Sequence, residues 1–174
     1  VETLALRKGQ RILDYCAGGG GKALALAALA DSAVDAWDSD AARMQDIAKR
    51  AERAGANITC LTEKPSGQYD IVLCDVPCSG SGAWRRAPQG KWLLTSERLT
   101  QLGNVQGDIL QQAARLVSPG GVLVYTACSL LAQENMDQLA KFTEATPGWI
   151  CDFSRQFLPI EGGDGFVVGH LRSV

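Results

Sequence analysis

The sequence predicts an α/β fold: a doubly wound, Rossmann-like, mostly parallel sheet of seven strands whose last strand is reversed. Three observations predict it. Five short apolar runs are interspersed with helical segments along the chain, the pattern of successive βαβ units. Four consecutive glycines, Gly18 to Gly21, follow the first strand at the point where such a unit turns into its helix. The chain then closes on two strand-like runs joined by a Pro/Gly connection too short for a crossover helix, so they must pair antiparallel.

Each element follows from local pattern. Arg11 to Tyr15 reads as the first strand, Cys16-Ala17-Gly18-Gly19-Gly20-Gly21-Lys22 as its turn, and Ala23 to Ala30 as a helix apolar on all sides. Ala33 to Trp37 is a second strand ending at Asp38, and Ser39-Asp40 caps the helix that follows. Met44, Ile47, Ala48, Ala51 and Ala54 recur at helical spacing there, with Gly55 past the end. Ile58 to Leu61 is a third strand. The fourth, through Ile71, Val72, Leu73 and Cys74, stops at Asp75-Val76-Pro77-Cys78, because proline has no N–H to continue a ladder. Ala83 to Leu94 has neither period and reads as an active-site loop. Leu99, Leu102, Ile109, Ala113 and Leu116 mark a long helix stopped at Ser118-Pro119-Gly120-Gly121. Val122 to Ala127 is the fifth strand, ending in Cys128-Ser129. A helix over Ala132 to Thr146 precedes the final strands, Trp149 to Phe153 and Gly165 to Leu171.

Composition narrows the function. With 174 residues, 46% hydrophobic and 21% charged, the chain fits one domain, residues 1–174, with a buried core. The longest apolar run falls far short of the ~18 residues of a membrane span, and the N-terminus lacks an apolar signal core, so a cytoplasmic location is expected. The chain begins at Val1 rather than Met and reads as a fragment of a longer protein. Six cysteines, at 16, 60, 74, 78, 128 and 151, include no C-x2-C pair, and the single histidine is at 170, so no metal site is expected. Cys60, Cys74 and Cys151 lie inside apolar runs and read as small buried hydrophobes, whereas Cys16, Cys78 and Cys128 lie at strand ends. A net charge of −2 argues against a free-standing nucleic-acid binder. One local exception, Arg85, Arg86, Lys91 and Arg98 with Trp84 and Trp92 interleaved, follows the Pro-Cys turn.

The glycine turn suits an adenosine cofactor without choosing one. Backbone amides at a helix start can approach a ligand closely where no Cβ intervenes. Asp38, about twenty residues on, stands where a carboxylate holds the ribose hydroxyls. Lys22 either meets a cofactor carboxylate or solvates the helix start. NAD and S-adenosylmethionine both satisfy this pattern, and the thiols separate them. Carbon 5 of a cytosine is too weak a nucleophile to take a methyl group from a sulfonium. A thiolate added at carbon 6 makes carbon 5 enamine-like, and a base must later remove the carbon 5 proton so that the thiolate can leave. Two thiols at strand ends, with a carboxylate such as Asp75 to hydrogen-bond the ring nitrogen, meet that demand. A dehydrogenase would need a proton donor near a nicotinamide, and the only histidine is on the last strand.

Asp75-Val76-Pro77-Cys78-Ser79-Gly80 followed by Arg85-Arg86 and Lys91-Trp92, together with Tyr125-Thr126-Ala127-Cys128-Ser129 followed by Glu134-Asn135, resembles the RNA 5-methylcytosine methyltransferases of the bacterial Sun type. The similarity extends through Gly163-Asp164-Gly165-Phe166. It implies the class I S-adenosylmethionine-dependent methyltransferase fold and a cytosine in RNA, ribosomal RNA in particular, as substrate. It implies Cys128 as the nucleophile attacking carbon 6 and Cys78 as the helper in proton removal and release. By the same resemblance Cys16, Ala17, Gly18, Gly19, Gly20, Gly21, Lys22, Asp38, Arg43 and Asp75 line the S-adenosylmethionine pocket, and Arg85, Arg86 and Lys91 contact RNA. The sequence departs from the family's pattern in three places. Gly18-Gly19 replaces Ala-Pro, Thr126-Ala127 replaces Ala-Thr, and the third strand ends in Leu61-Thr62-Glu63 where the family has an Asp near the adenine; either Thr62 or Glu63 substitutes for it or the cofactor is held more weakly. The family's N-terminal RNA-binding region is not present, so RNA affinity is expected to need it. The competing readings are an NAD-dependent oxidoreductase, a non-catalytic RNA-assembly module of the same fold, and an amino-methyltransferase of an Asp-Pro-Pro type, which would need neither thiol.

Overall fold

The computed structural model describes residues 1–174. Its strands are β1 (Ile12–Asp14), β2 (Val34–Ala36), β3 (Ile58–Cys60), β4 (Tyr69–Asp75), β5 (Val117–Ala127), β6 (Trp149–Phe157) and β7 (Phe166–Ser173), forming one seven-stranded sheet in the order β3-β2-β1-β4-β5-β7-β6. The helices are α1 (Gly21–Ala30), α2 (Ile47–Ala54), α3 (Gln89–Leu93), α4 (Ser96–Ala114) and α5 (Met136–Ala145). This is the predicted doubly wound sheet, and β6 and β7 pair antiparallel as the short connection requires. The chain groups into two compact units, residues 1–75 with 113–123 and residues 76–112 with 124–174.

In the first unit β1 pairs parallel with β2 and β4, and β2 with β3. Such strands are covered on both faces, so they read as short continuous apolar runs rather than alternating ones: Ile12, Leu13, Val34, Ile71, Val72 and Leu73 are all buried. The ladder continues past the strand ends, where Trp37 N donates to Asp14 O at 2.9 Å and Ala17 N to Trp37 O at 2.9 Å, drawing the glycine turn toward Asp38. Gly20 has a left-handed φ of 77°, and a Cβ there would stand 2.8 Å from Ile47 Cγ1, so glycine is required for α1 to start against α2. The helix expected from Met44 begins later. Asp40 accepts from Ala42 N at 3.1 Å and caps a 3₁₀ turn over Ala41–Met44, and the α-helical bonds start at Ile47.

In the second unit α4 and α5 bury Leu102, Leu110, Leu139 and Phe142, and β7 buries Val167, Val168 and Leu171. Gly169 leaves room for Leu139, whose methyls would lie 2.7 Å from a Cβ there. Two expectations are corrected. The helix expected over Ala132 to Thr146 is a 3₁₀ turn (Ala132–Glu134) and α5, broken where Asn135 leaves helical dihedrals at φ −113° and ψ −109°. Cys151 is exposed, not buried: β6 is the edge strand, and the thiol sits at its bulge with Sγ 3.3 Å from Phe153 O. The apolar run around it does not reveal that no strand covers its outer side. Cys74 is buried as expected and Cys60 half-buried.

Candidate active site

The two thiol turns of the second unit are pinned to each other by the backbone. Val76 N donates to Thr126 O at 3.0 Å and Gly82 N to Cys128 O at 3.1 Å. Pro77 ends β4, and Gly80 adopts φ 69°, a left-handed turn open to glycine without strain. The result brings residues fifty apart into contact, with Cys78 Sγ 3.2 Å from Cys128 Sγ. Cys128 is exposed and Cys78 half-buried, and none of the six cysteines is in a disulfide. Cys78 is pushed up from the ordinary thiol range, first by its hydrogen bond with Cys128, then by burial and by charge on Cys128. Two thiols in contact cannot both ionise easily. Burial and the contact with Cys128 both favour the proton on Cys78.

Behind these sulfurs lies a polar cluster. Glu134, 0% exposed, accepts Ser79 N at 2.8 Å and Gln106 Nε2 at 3.0 Å on Oε1, and Ser79 Oγ at 2.5 Å and Ser129 Oγ at 2.6 Å on Oε2. Gln106 Nε2 also reaches Pro77 O at 3.0 Å. Beside the turns, Gly82 O accepts Gly165 N at 2.9 Å, and a Cβ on Gly82 would sit 1.7 Å from Gly165 O. Gly163-Asp164-Gly165-Phe166, quoted above as a motif, is thereby the third strap on the Pro-Cys turn.

Within what the sequence reads as a loop, Lys91 and Trp92 stand on the short helix α3, and Arg85 and Arg86 on the turn that precedes it. Arg85, Lys91 and Trp92 are exposed, with Lys91 Nζ 5.6 Å from the Trp92 ring centroid. Arg86, also exposed, is engaged by Asp164: its Nε donates to both carboxylate oxygens, at 2.9 and 3.1 Å, and its Nη2 adds a third bond. That guanidinium holds Asp164 below the usual carboxylate range and also interacts electrostatically with Cys128.

In the first unit the glycine turn faces a cavity of about 270 Å³. Of the residues singled out in the sequence, Cys16, Ala17, Gly18, Gly19, Gly21 and Lys22 line it, and so do Arg43 and Asp75. Gly20 lies against Ile47 instead. Asp38, 5% exposed, is turned onto the turn itself: Oδ2 accepts Gly18 N at 2.9 Å and pairs with Arg43 Nη1 at 3.1 Å, and Oδ1 accepts Asp40 N at 3.0 Å. Lys22 Nζ and Asp75 Oδ2 pair at 2.5 Å. Cys16 is pushed up to about 12 by burial and by the carboxylates of Asp14, Asp38 and Asp75, which makes it a neutral thiol. Thr62 and Glu63 are exposed and do not line this cavity.

Asp14 is the wall residue that the sequence reading did not single out. It is 1% exposed, and neither carboxyl oxygen has a hydrogen-bond partner of ordinary geometry. Burial first, and the charge of Asp75 second, push it up to about 7, offset in part by Lys22. Its signal was present, since a carboxylate on an otherwise apolar strand is costly unless it has work to do.

A crystal structure of PH0851 superposes with a TM-score of 0.91 at 26% identity, covering 99% of this chain and 44% of that one. NSun6 from Pyrococcus horikoshii, solved with SFG, has a TM-score of 0.85 at 22% identity over 97% of this chain and 49% of that one. Ribosomal RNA small subunit methyltransferase B of Proteus mirabilis is 35% identical over 95% of this chain and 42% of its own length; that of Klebsiella pneumoniae is 36% identical over 98% and 44%. The chain thus spans less than half the length of the curated relatives it matches. The family described as 16S rRNA methyltransferase RsmB/F matches residues 1–166. From Val1 to Phe166, across both thiol turns and the glycine turn, the chain belongs to the 16S rRNA methyltransferase RsmB/F family.

Proposed function

We propose that this chain is the catalytic part of an enzyme that methylates carbon 5 of a cytosine in RNA, ribosomal RNA being the substrate class named for its relatives, with S-adenosylmethionine as donor. The observation that carries the reading is the 3.2 Å meeting of the Cys78 and Cys128 sulfurs, one of them exposed. Cys128 is the nucleophile. It is the sulfur open to a substrate, it receives the Cys78 hydrogen bond, and a cation such as Arg86 favours a thiolate beside it. Its lone pair forms the bond to carbon 6, and the electrons of the 5,6 double bond pass to carbon 5. As the carboxylic acid, Asp75 donates a hydrogen bond to the ring nitrogen, which accepts it as carbon 6 is attacked.

When bound, S-adenosylmethionine supplies the electrophilic methyl group. Of the residues around the 270 Å³ cavity, Asp14 suits its ammonium and Lys22 its carboxylate; Asp38, engaged by Gly18, Arg43 and Asp40, holds the glycine turn in place and does not line the cavity. Gly18 keeps the turn close, since a Cβ there would lie 3.0 Å from Arg43 Nη2. Once Cys128 is bonded to carbon, the hydrogen bond and charge that kept the proton on Cys78 are gone. Cys78 then releases that proton to water and takes the one on carbon 5. The double bond re-forms, and Cys128 departs as thiolate. Arg85 and Lys91, both exposed, supply the RNA contact, with Trp92 as a stacking surface.

The oxidoreductase alternative finds no support: no dehydrogenase stands among the relatives compared, and the one histidine, His170, is buried in β7. The test is methylation of a cytosine-containing RNA by the full-length protein, with any sequence that precedes Val1. Cys128→Ala should abolish it while calorimetry still detects S-adenosylmethionine binding. Unchanged methylation by that variant, or preferential binding of NAD, would overturn the proposal.

A further inference from the structure

The cluster behind the sulfurs has a direction. Leu130 N–H donates to Ser81 Oγ at 2.8 Å, the Ser81 and Ser129 hydroxyls meet at 2.9 Å, and Ser129 Oγ donates to Glu134 Oε2 at 2.6 Å. Each hydroxyl has one proton. With Ser129 committed to Glu134, its oxygen accepts from Ser81, and Ser81 in turn accepts from the backbone. Ser79 Oγ also spends its proton on Glu134 Oε2. Ser79 N and Gln106 Nε2 can only donate, and both point at Oε1. Four donors converge on two oxygens, the acceptor capacity of a carboxylate and of no other side chain of that reach. Three of these donors come from the two thiol turns, Ser79 adjoining Cys78 and Ser129 adjoining Cys128, and the fourth, Gln106, from α4. Glu134 itself is fixed from behind, where its carbonyl accepts Tyr125 OH at 2.6 Å, and Asn135 Nδ2 donates to Ser129 O at 3.1 Å.

We propose that Glu134 is a positioning residue that sets the separation of the two catalytic sulfurs, by binding through its two carboxylate oxygens the serine that follows Cys78 and the serine that follows Cys128. It touches neither sulfur. The proposal rests on the two-thiol reading above and assigns the adjoining Glu134-Asn135 motif a task in it. A carboxylate suits the task because charge-assisted hydrogen bonds in a water-excluded site are short and strongly oriented, whereas each cysteine turn alone is held by single backbone bonds. Losing the clamp leaves both thiols present and spaced wrongly, and a misplacement of about 1 Å in such a site costs on the order of a hundredfold in rate.

The experiment compares wild type, Glu134→Gln, Glu134→Ala and Ser129→Ala in the full-length protein. First, the rate at which diamide, taking two protons and two electrons, joins Cys78 to Cys128 is followed by peptide mapping with no RNA present, and is divided by the rate at which iodoacetamide alkylates each thiol, which removes ionisation and leaves spacing. Second, methylation kcat is measured together with S-adenosylmethionine affinity by calorimetry. Glu134→Ala should slow disulfide formation about tenfold or more and lower kcat about a hundredfold, with cofactor affinity unchanged. Glu134→Gln keeps one acceptor oxygen for Ser79 N and Gln106 Nε2 and should fall between; Ser129→Ala should resemble it, and either serves if the alanine variant does not fold. Wild-type disulfide and methylation rates in the folded variants would overturn the proposal, as would parallel loss of kcat, cofactor affinity and melting temperature, which marks a role in stability only. If wild type itself does not need Cys128 for methylation, the two-thiol reading fails instead, and the disulfide rates still decide whether Glu134 sets the spacing.

Discussion

Replacing Asp14 by Asn should change how stability depends on pH, by an amount the structure sets. The unfolded chain releases the Asp14 proton near 3.8, while the folded chain holds it to about 7. Between those values the unfolded state binds fewer protons than the folded one, so this residue's contribution to stability is fully present below 3.8 and is lost as pH rises toward 7. At about 1.4 kcal/mol for each tenfold, the loss amounts to about 4 kcal/mol. Asparagine does not titrate, but its buried amide lacks partners at a cost of about 1–3 kcal/mol at every pH. Asp14→Asn should therefore be less stable than wild type at pH 4 and more stable at pH 8. The difference between the two gaps, about 4 kcal/mol, is free of the amide's cost. Urea unfolding of ligand-free protein at both pH values measures it. Adding S-adenosylmethionine at pH 8 should stabilise wild type far more than the variant, because the ligand's ammonium is what the ionised carboxylate awaits. Wild-type and variant profiles that run parallel within about 1 kcal/mol would refute the argument.

Other perturbations follow from the same geometry. Gly82→Ala places a Cβ against the Gly165 carbonyl and breaks two backbone hydrogen bonds, so unfolding should show a loss of about 3 kcal/mol with m unchanged; a loss under about 1 kcal/mol would mean that the strap is slack. Arg85→Ala and Lys91→Ala should each weaken RNA binding and reduce the slope of log affinity against log salt by about 0.7–0.9; an unchanged slope would remove that residue from the RNA contact. Cys151→Ser, at an exposed edge-strand bulge, should shift stability by no more than about 0.5 kcal/mol in thermal melts.

Periodicity and turn chemistry made the sheet legible, because a parallel strand buried on both faces must be a short apolar run ended by a glycine or proline turn. For the same reason Cys78 and Cys128 could be placed at strand ends from Pro77 and Ser129 alone. What could not be read was lateral. The sequence does not say that β6 is an edge, and so Cys151 seemed buried. Nor does it say that Asp38 turns onto Gly18, or that Glu134 reaches Ser79 across fifty-five residues. A carboxylate inside Ile12-Leu13-Asp14-Tyr15 is a signal, but its near-complete burial against the glycine-turn cavity is visible only in the structure. The departure of Asn135 from helical dihedrals, which turns Glu134 inward ahead of α5, also has no periodic signature.

In the proposed mechanism Cys128 bonds to the base and Cys78 releases it. Cys78→Ala in the full-length protein, incubated with cytosine-containing RNA and S-adenosylmethionine and run on a denaturing gel, tests this most directly. The account predicts a shifted protein–RNA band whose mass-mapped attachment is the Cys128 sulfur and which is absent when Cys128 is also alanine. Turnover at the wild-type rate with no retained RNA, or attachment at any other residue, would contradict it.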